Sequence, residues 1–399
     1  MRFWITFLLN SFSLLITLHF CGNAQELGSY PIRNFNHREY SGHTQNWAVV
    51  QDQRGLVYVA NNGGVLEYDG SDWRQISING SLARCLDIDK EGRIWVGGQD
   101  EVGYLAADST GSLSYFSLLS KIPSYDLPLG LVKQIFATDD GVYFCSNQSV
   151  VLIKENKLRV WKPKTVFHRS FYANGKIFVN QPEYGLTYIK NDSLKLVPHS
   201  EEVSKKLVYV LLSFSKNKLL IGSQSDGFYL YNLNALRSDT TIRSDSIINR
   251  FTTSNDIFFK ENFVYSGIAL PDDGFAIGTY RKGAVIMNKK GAIIREINRS
   301  SGLQDEAVWN LYLDNHSNLW MTLNNGLSYT STNSQLTSWS EDSGLRGSLQ
   351  SVVRFNNSLY VTTNIGLFRM VNGSFKEVKG FSKFSFKLIK VSGSEGKET

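Results

Sequence analysis

Cysteine is nearly absent, with three in 399 residues, and one of those, Cys21, lies in an apolar N-terminal stretch. The other two, Cys85 and Cys145, fall in different segments, so the chain reads as carrying two buried thiols rather than a disulfide framework. Histidine is scarce too. His19, His37, His43, His168, His199 and His316 are isolated, with no pair at metal-ligand spacing and no neighbouring acid cluster. Neither a metal site nor a cofactor is indicated. There is no GxSxG elbow and no Walker loop, and helical periodicity is almost missing, which excludes a helical solenoid. The net charge of +6 is modest. Basic residues are scattered except in KENKLRVWKPK at 154–164 and YRKGAVIMNKK at 280–290, which read as solvated surface. No helix-turn-helix, zinc or RNA-binding motif accompanies them, so no nucleic-acid partner is expected.

What the chain has instead is a repeated unit. In DKEGRIWVGG, residues 89–98, Asp89 and Gly92 suit the first and last corners of a type I turn. The flanking CLDID and RIWVG are short runs that suit strands. Aligned on Trp95, the unit recurs about eight times, at Tyr58, Trp95, Tyr143, Phe178, Leu220, Ala276, Trp320 and Tyr360, at an average spacing of about 43 residues. That period matches four-stranded propeller blades. A glycine follows six to eight residues later in seven copies, as Gly64, Gly103, Gly185, Gly227, Gly283, Gly326 and Gly366, and reads as the opening of a third strand. A fourth strand, such as SDWRQISI at 71–78, follows in the better copies. The chain is therefore expected to be all-β, a propeller of four-stranded blades. Seven blades closing a ring, with an eighth repeat starting a second propeller, is the leading count; a single eight-bladed ring is the alternative. Trp95 and Trp320 read as core aromatics between blades, and aromatics at 13% of the chain supply the wedges.

Boundaries follow from the same pattern: a leader at 1–24, the propeller at 25–340, a further repeat at 341–380 and an irregular tail at 381–399. The leader MRFWITFLLNSFSLLITLHFCGNAQ has a basic second residue, an apolar run from Phe3 to Phe20 and a small-residue site before Gln25. It reads as a cleaved secretory signal, with an uncleaved anchor as the alternative. Cys21 follows bulky residues that fit a lipobox poorly. A periplasmic or secreted protein without a stable membrane span is expected.

QNWAVVQDQRGLVYVANNGGVLEYDGSDWRQI and DIDKEGRIWVGGQDEVGYLAADSTGSLSYFSL, together with the SGL-led stretches at 301–330 and 343–370, resemble the periplasmic two-component-regulator propellers of Gram-negative bacterial sensors. The resemblance spans residues 30–380 and is strong in copies one, two, seven and eight. It implies seven-bladed propellers, often in tandem, followed by a triple-tyrosine domain, a membrane helix and a cytoplasmic kinase or DNA-binding output, and it implies ligand sensing, often of carbohydrate. The later parts have no counterpart here, and the chain reads as a truncated sensor or a fragment.

Two functions are carried forward: a non-enzymatic extracytoplasmic ligand-binding module with a small-molecule or glycan ligand and a sensor-protein partner, and, as alternative, a secreted propeller enzyme such as a lyase or glycan hydrolase. A ligand is expected on the face carrying the loops between second and third strands, which emerge where blades are linked because strands alternate direction. Those loops carry Asn61, Asn62, Gln99, Asp100, Glu101, Gln181, Glu183, Tyr184, Gln224, Asp226, Tyr280, Arg281, Lys282, Asn324 and Asn325. Asn and Asp are also good turn residues. Tyr184 and Tyr280 are the expected stacking residues, and Arg281 and Asp100 the polar contacts. No catalytic residue is assigned.

Overall fold

The computed structural model describes residues 28–155, 157–236, 247–334, 336–339, 341–381 and 387–391. The leader at 1–24 and its Cys21 lie outside the described residues. The chain divides into two compact units, Pro31–Ser334 and a smaller one of Met1–Tyr30 with Gln335–Thr399. Its strands form eight four-stranded antiparallel sheets.

Turn chemistry sets each blade. The Asp89 carbonyl accepts the Gly92 N–H at 3.0 Å, one carboxylate oxygen accepts the Arg93 N–H at 2.8 Å, and the other takes the Trp95 indole N–H at 2.8 Å. The acid thus fixes both the hairpin and the core aromatic six residues on. Asp314 repeats the device, accepting from the His316 and Asn318 amides at 2.9 and 2.8 Å and from Trp320 Nε1 at 2.9 Å. Trp95 and Trp320 are buried, as expected of wedges between blades. The glycine at the start of the third strand has its own steric cause. At Gly64, with φ +127°, a Cβ would lie 2.3 Å from the Ile76 carbonyl oxygen at the end of the fourth strand, and at Gly283, with φ +68°, 2.0 Å from that of Ile297. Gly103 departs from the expectation: it lies inside the third strand, Glu101–Ala107, where its missing side chain makes room for the Tyr115 ring.

In the larger unit the first strand of each blade is innermost. These strands are Asn46–Gln51, Ala83–Ile88, Val132–Thr138, Arg169–Ala173, Val208–Ser215, Val264–Ala269 and Val308–Leu313. Each touches the next, and the last touches the first, so seven blades close a ring. That closure sets aside the single eight-bladed ring. Seven apolar clusters fill the spaces between neighbours, for example Val50 and Tyr58 against Leu86 and Ile94. Second strands such as Val57–Asn61 and Ile94–Gly98 are buried along their whole length, because a blade packs on each side.

The seventh blade borrows its fourth strand. Val308–Leu313, Asn318–Leu323 and Leu327–Ser331 are completed by Ile32–Phe35, with Phe35 opposite Leu327. No local pattern marks this N-terminal strand, whose partner lies at residues 327–330. The eighth copy forms its own sheet in the smaller unit, Leu349–Phe355, Ser358–Thr363, Gly366–Val371 and Ser374–Glu377, over a core of Val361, Phe368, Met370 and Phe375. Cys85 and Cys145 are free and buried, and burial pushes the Cys145 thiol up to about 12, leaving it protonated and unreactive.

Candidate functional site

Each inner strand starts on the face where blades are linked, so the residue one step into it stands at one mouth of the central channel. In six blades that residue is skipped by the strand ladder: Trp47, Arg84, Lys133, Tyr209, Tyr265 and Trp309 each sit at a register shift. Such bulges turn a side chain out of the sheet. The fourth blade has no bulge there, and His168 and Arg169 take the position. Contacts between non-adjacent blades confirm that these side chains converge. Arg169 of the fourth blade donates to the Tyr265 carbonyl of the sixth at 2.8 Å, and its guanidinium lies 5.0 Å from both the Tyr209 and Tyr265 rings.

The mouth has two halves. Blades five, six, seven and one contribute a chain of rings, with Tyr209 on Tyr265 at 4.7 Å, Tyr265 on Trp309 at 4.7 Å and Trp309 on Trp47 at 5.4 Å. Blades two, three and four contribute Arg84, Lys133, His168 and Arg169. The halves meet where Arg84 lies 3.6 Å over the Trp47 ring and His168 sits edge-on to Tyr209 at 5.0 Å. Burial holds Arg84 and Arg169 below their usual range, and Lys133 is lowered by burial and then by both arginines.

Of the residues expected from the sequence, Tyr280 reaches this ring, packing on Trp309 at 5.4 Å while 46% exposed. Asn62 serves it indirectly, accepting the Trp47 indole N–H at 2.7 Å. Arg281, Tyr184 and Asp100, the remaining expected contact residues, are held by nearby loops. Arg281 lies 4.2 Å over the Phe263 ring and donates to the Glu261 carbonyl, and Lys164 stands 4.6 Å over Tyr184. Asp100, at φ +52°, accepts the Gly130 N–H at 2.6 Å and the Gln99 amide at 2.7 Å. Among the described residues no hydrogen bond, ion pair or ring contact joins Asp100, Tyr184 or Arg281 to the ring. Asn61 is fully buried and binds the His43 and Gln45 carbonyls, a structural task.

Sequence reasoning missed the ring itself. A signal was available: the seven positions Trp47, Arg84, Lys133, His168, Tyr209, Tyr265 and Trp309 lie ten or eleven residues before the aligned mid-blade position. Their chemistry differs from blade to blade, so only the spacing betrays them.

Burial, reinforced by Arg169 and Lys133, pushes His168 down to about 4. A base whose folded value is depressed contributes stability that is present above its unfolded value, near 6.5, and lost as pH falls through the folded one. His168→Phe, which keeps a ring against Tyr209, is therefore expected to gain on the wild type by on the order of 3 kcal/mol between pH 7 and pH 4. Urea unfolding of both proteins across that range measures it; parallel curves would remove the assignment.

No family model matches the chain, and no curated protein matches it. Solved structures do. The extracellular domain assigned to a hybrid two-component system of B. thetaiotaomicron superposes with a TM-score of 0.66 at 18% identity, over 92% of this chain and 52% of its own. One assigned to a one-component system of the same organism gives 0.59 at 17%, over 92% and 50%. Virginiamycin B lyase from Staphylococcus aureus gives 0.55 at 11%, over 76% and 100%. The chain spans about half the length of the first two. At these identities the likeness is one of fold, and that fold is the propeller of regulator extracellular domains which the sequence resemblance implied. Among the described residues no helix is long and apolar enough to cross a membrane.

Proposed function

We propose that this chain is an extracytoplasmic, non-enzymatic ligand-binding propeller that serves as the input region of a signalling protein, with the eighth sheet as the first blade of a second propeller. The observation that carries the reading is the run of aromatic faces at one channel mouth, Tyr209, Tyr265, Trp309 and Trp47, with Tyr280 standing exposed beside it. A partly exposed aromatic cluster is the usual platform for a sugar ring or another flat small molecule. The surrounding loops, Arg281, Tyr184 and Asp100 included, form the rim of the same face. Extracellular placement is supported by the neighbours' own location and by the leader-like N-terminus. The enzyme alternative draws on the lyase neighbours, which share the fold alone. Among the described residues the ring brings cations and aromatics together and no carboxylate pair of the kind a glycan hydrolase uses.

The test is calorimetry and tryptophan fluorescence with a panel of neutral and acidic oligosaccharides. Trp309→Ala and Tyr280→Ala are expected to weaken binding by about tenfold or more, since stacked aromatics are frequent hot spots, with Tyr280→Ala leaving the melting temperature unchanged. Full affinity in both variants would move the site elsewhere.

A further inference from the structure

Outside the channel, the cations of this protein that approach acids are paired with them: Arg33 with Glu39 at 2.7 Å, Arg54 with Asp52 at 2.8 Å, Arg74 with Glu67 at 2.9 Å and Lys289 with Asp273 at 2.6 Å. Arg84, Lys133 and Arg169 are different. They come from three consecutive blades, converge on one mouth, are half-buried, and have no carboxylate partner among the described residues. Their burial is offset by softer contacts, namely the Tyr265 carbonyl and the Tyr209 and Tyr265 rings for Arg169, and the Trp47 face and the Tyr265 side chain for Arg84. Three like charges gathered without a counter-ion cost folding energy, and a protein gains nothing from that arrangement unless something negative completes it.

We propose that Arg84, Lys133 and Arg169 form an anion site, which takes a carboxylate or sulfate group on a small ligand whose ring lies against the Tyr265–Trp309 side of the same mouth. The proposal rests on reading the aromatic run as a binding surface, and adds the charge of what binds there. The guanidinium geometry suits it. Arg169 spends one donor on the Tyr265 carbonyl, leaving the others of its five. Arg84, held over the Trp47 ring, carries a planar guanidinium of five donors, two of which a planar or tetrahedral oxyanion can accept at once. Lys133, between them in blade order, supplies a third, movable donor. The two halves then read different parts of one ligand, its apolar face and its anionic group.

Inorganic sulfate is the probe that isolates the cationic half, with sodium chloride at matched ionic strength as reference, read by thermal shift and tryptophan fluorescence. Sulfate is expected to bind saturably and raise the melting temperature beyond the chloride effect, and Lys133→Gln and Arg84→Gln each to weaken it by about tenfold, the loss of one charge-assisted contact. Lys133→Met is expected to raise the melting temperature of the free protein, because it removes a charge that nothing pairs; this readout also shows that the fold survives. Glucuronate is expected to bind about tenfold or more tighter than glucose. Sulfate acting no better than chloride, or binding unchanged in both glutamine variants, overturns the anion site. Glucose and glucuronate binding equally, both lost in Trp309→Ala, overturns it while leaving the aromatic surface standing. Sulfate binding that is lost in the glutamine variants, with neither sugar bound, keeps the anion site and removes the aromatic reading.

Discussion

Phe35→Ala is expected to cost about 3–5 kcal/mol, the range for emptying a well-packed aromatic site. Phe35 is 1% exposed and sits among Tyr68, Trp73, Trp320 and Tyr329, with ring centroids between 5.3 and 6.0 Å. Those rings belong to both the first and the seventh blade, so one side chain fills the seam where the ring closes. The rest of the same strand is equally committed. Gln304 Nε2 donates to the Phe35 carbonyl at 3.0 Å and to that of Leu327 at 2.9 Å, and Asn34 bonds Ser328 at 2.6 Å and the Gly302 carbonyl at 2.9 Å. A void here weakens the joint that closes the ring rather than one local hairpin. Phe35→Leu is expected to retain most of the stability, and Ile257→Ala, at a position 67% exposed, to change it by less than about 0.5 kcal/mol. Chemical denaturation of the three variants decides the matter; a Phe35→Ala loss under about 1 kcal/mol would mean that the seam is held elsewhere.

The closing strand also marks where sequence reasoning stops. Blades are legible because their causes are local. Asp89 and Gly92 define a hairpin within four residues, and Trp95 follows at a distance its own turn dictates. IRNF, by contrast, owes its conformation to Leu327–Thr330, almost three hundred residues away. Nothing within four residues announces a partner so distant. The channel ring fails for a related reason. A bulge such as the one between Val132 and Gln134 is a property of two paired strands, and the side chain it displaces differs in every blade, so no single residue type recurs.

Loop chemistry was legible in kind but ambiguous in purpose. Asp100 and Asn61 carry groups that a ligand would welcome, and the structure spends them on Gly130 and on the His43 and Gln45 carbonyls. The same oxygen and amide atoms serve either end. Tyr280 differs because a phenol ring stabilises no turn, and it is the one that packs on the channel ring.

Asp314→Ala is the second large effect expected, at about 3–4 kcal/mol, because each buried donor left without an acceptor costs about 1–3 kcal/mol. Asp314 is 7% exposed and serves four donors: the His316 and Asn318 amides, Asn318 Nδ2 at 3.0 Å and the Trp320 indole. Removing the carboxylate strands the indole inside the core between the seventh and first blades, where Trp320 is 4% exposed and stacks on Phe35. Asp314→Asn isolates one part of this. Its single carbonyl oxygen can keep the turn amides, but its NH2 group faces the indole N–H donor to donor, so a loss of about 1–3 kcal/mol is expected with the hairpin intact. Trp320→Phe removes the donor, and in that background Asp314→Asn is expected to cost less than it does alone. A double-mutant cycle on urea unfolding should therefore return a coupling of about 1 kcal/mol or more between the two positions. Additive losses would show that the acid acts on its turn alone, and that the aromatic six residues later is placed by packing without it.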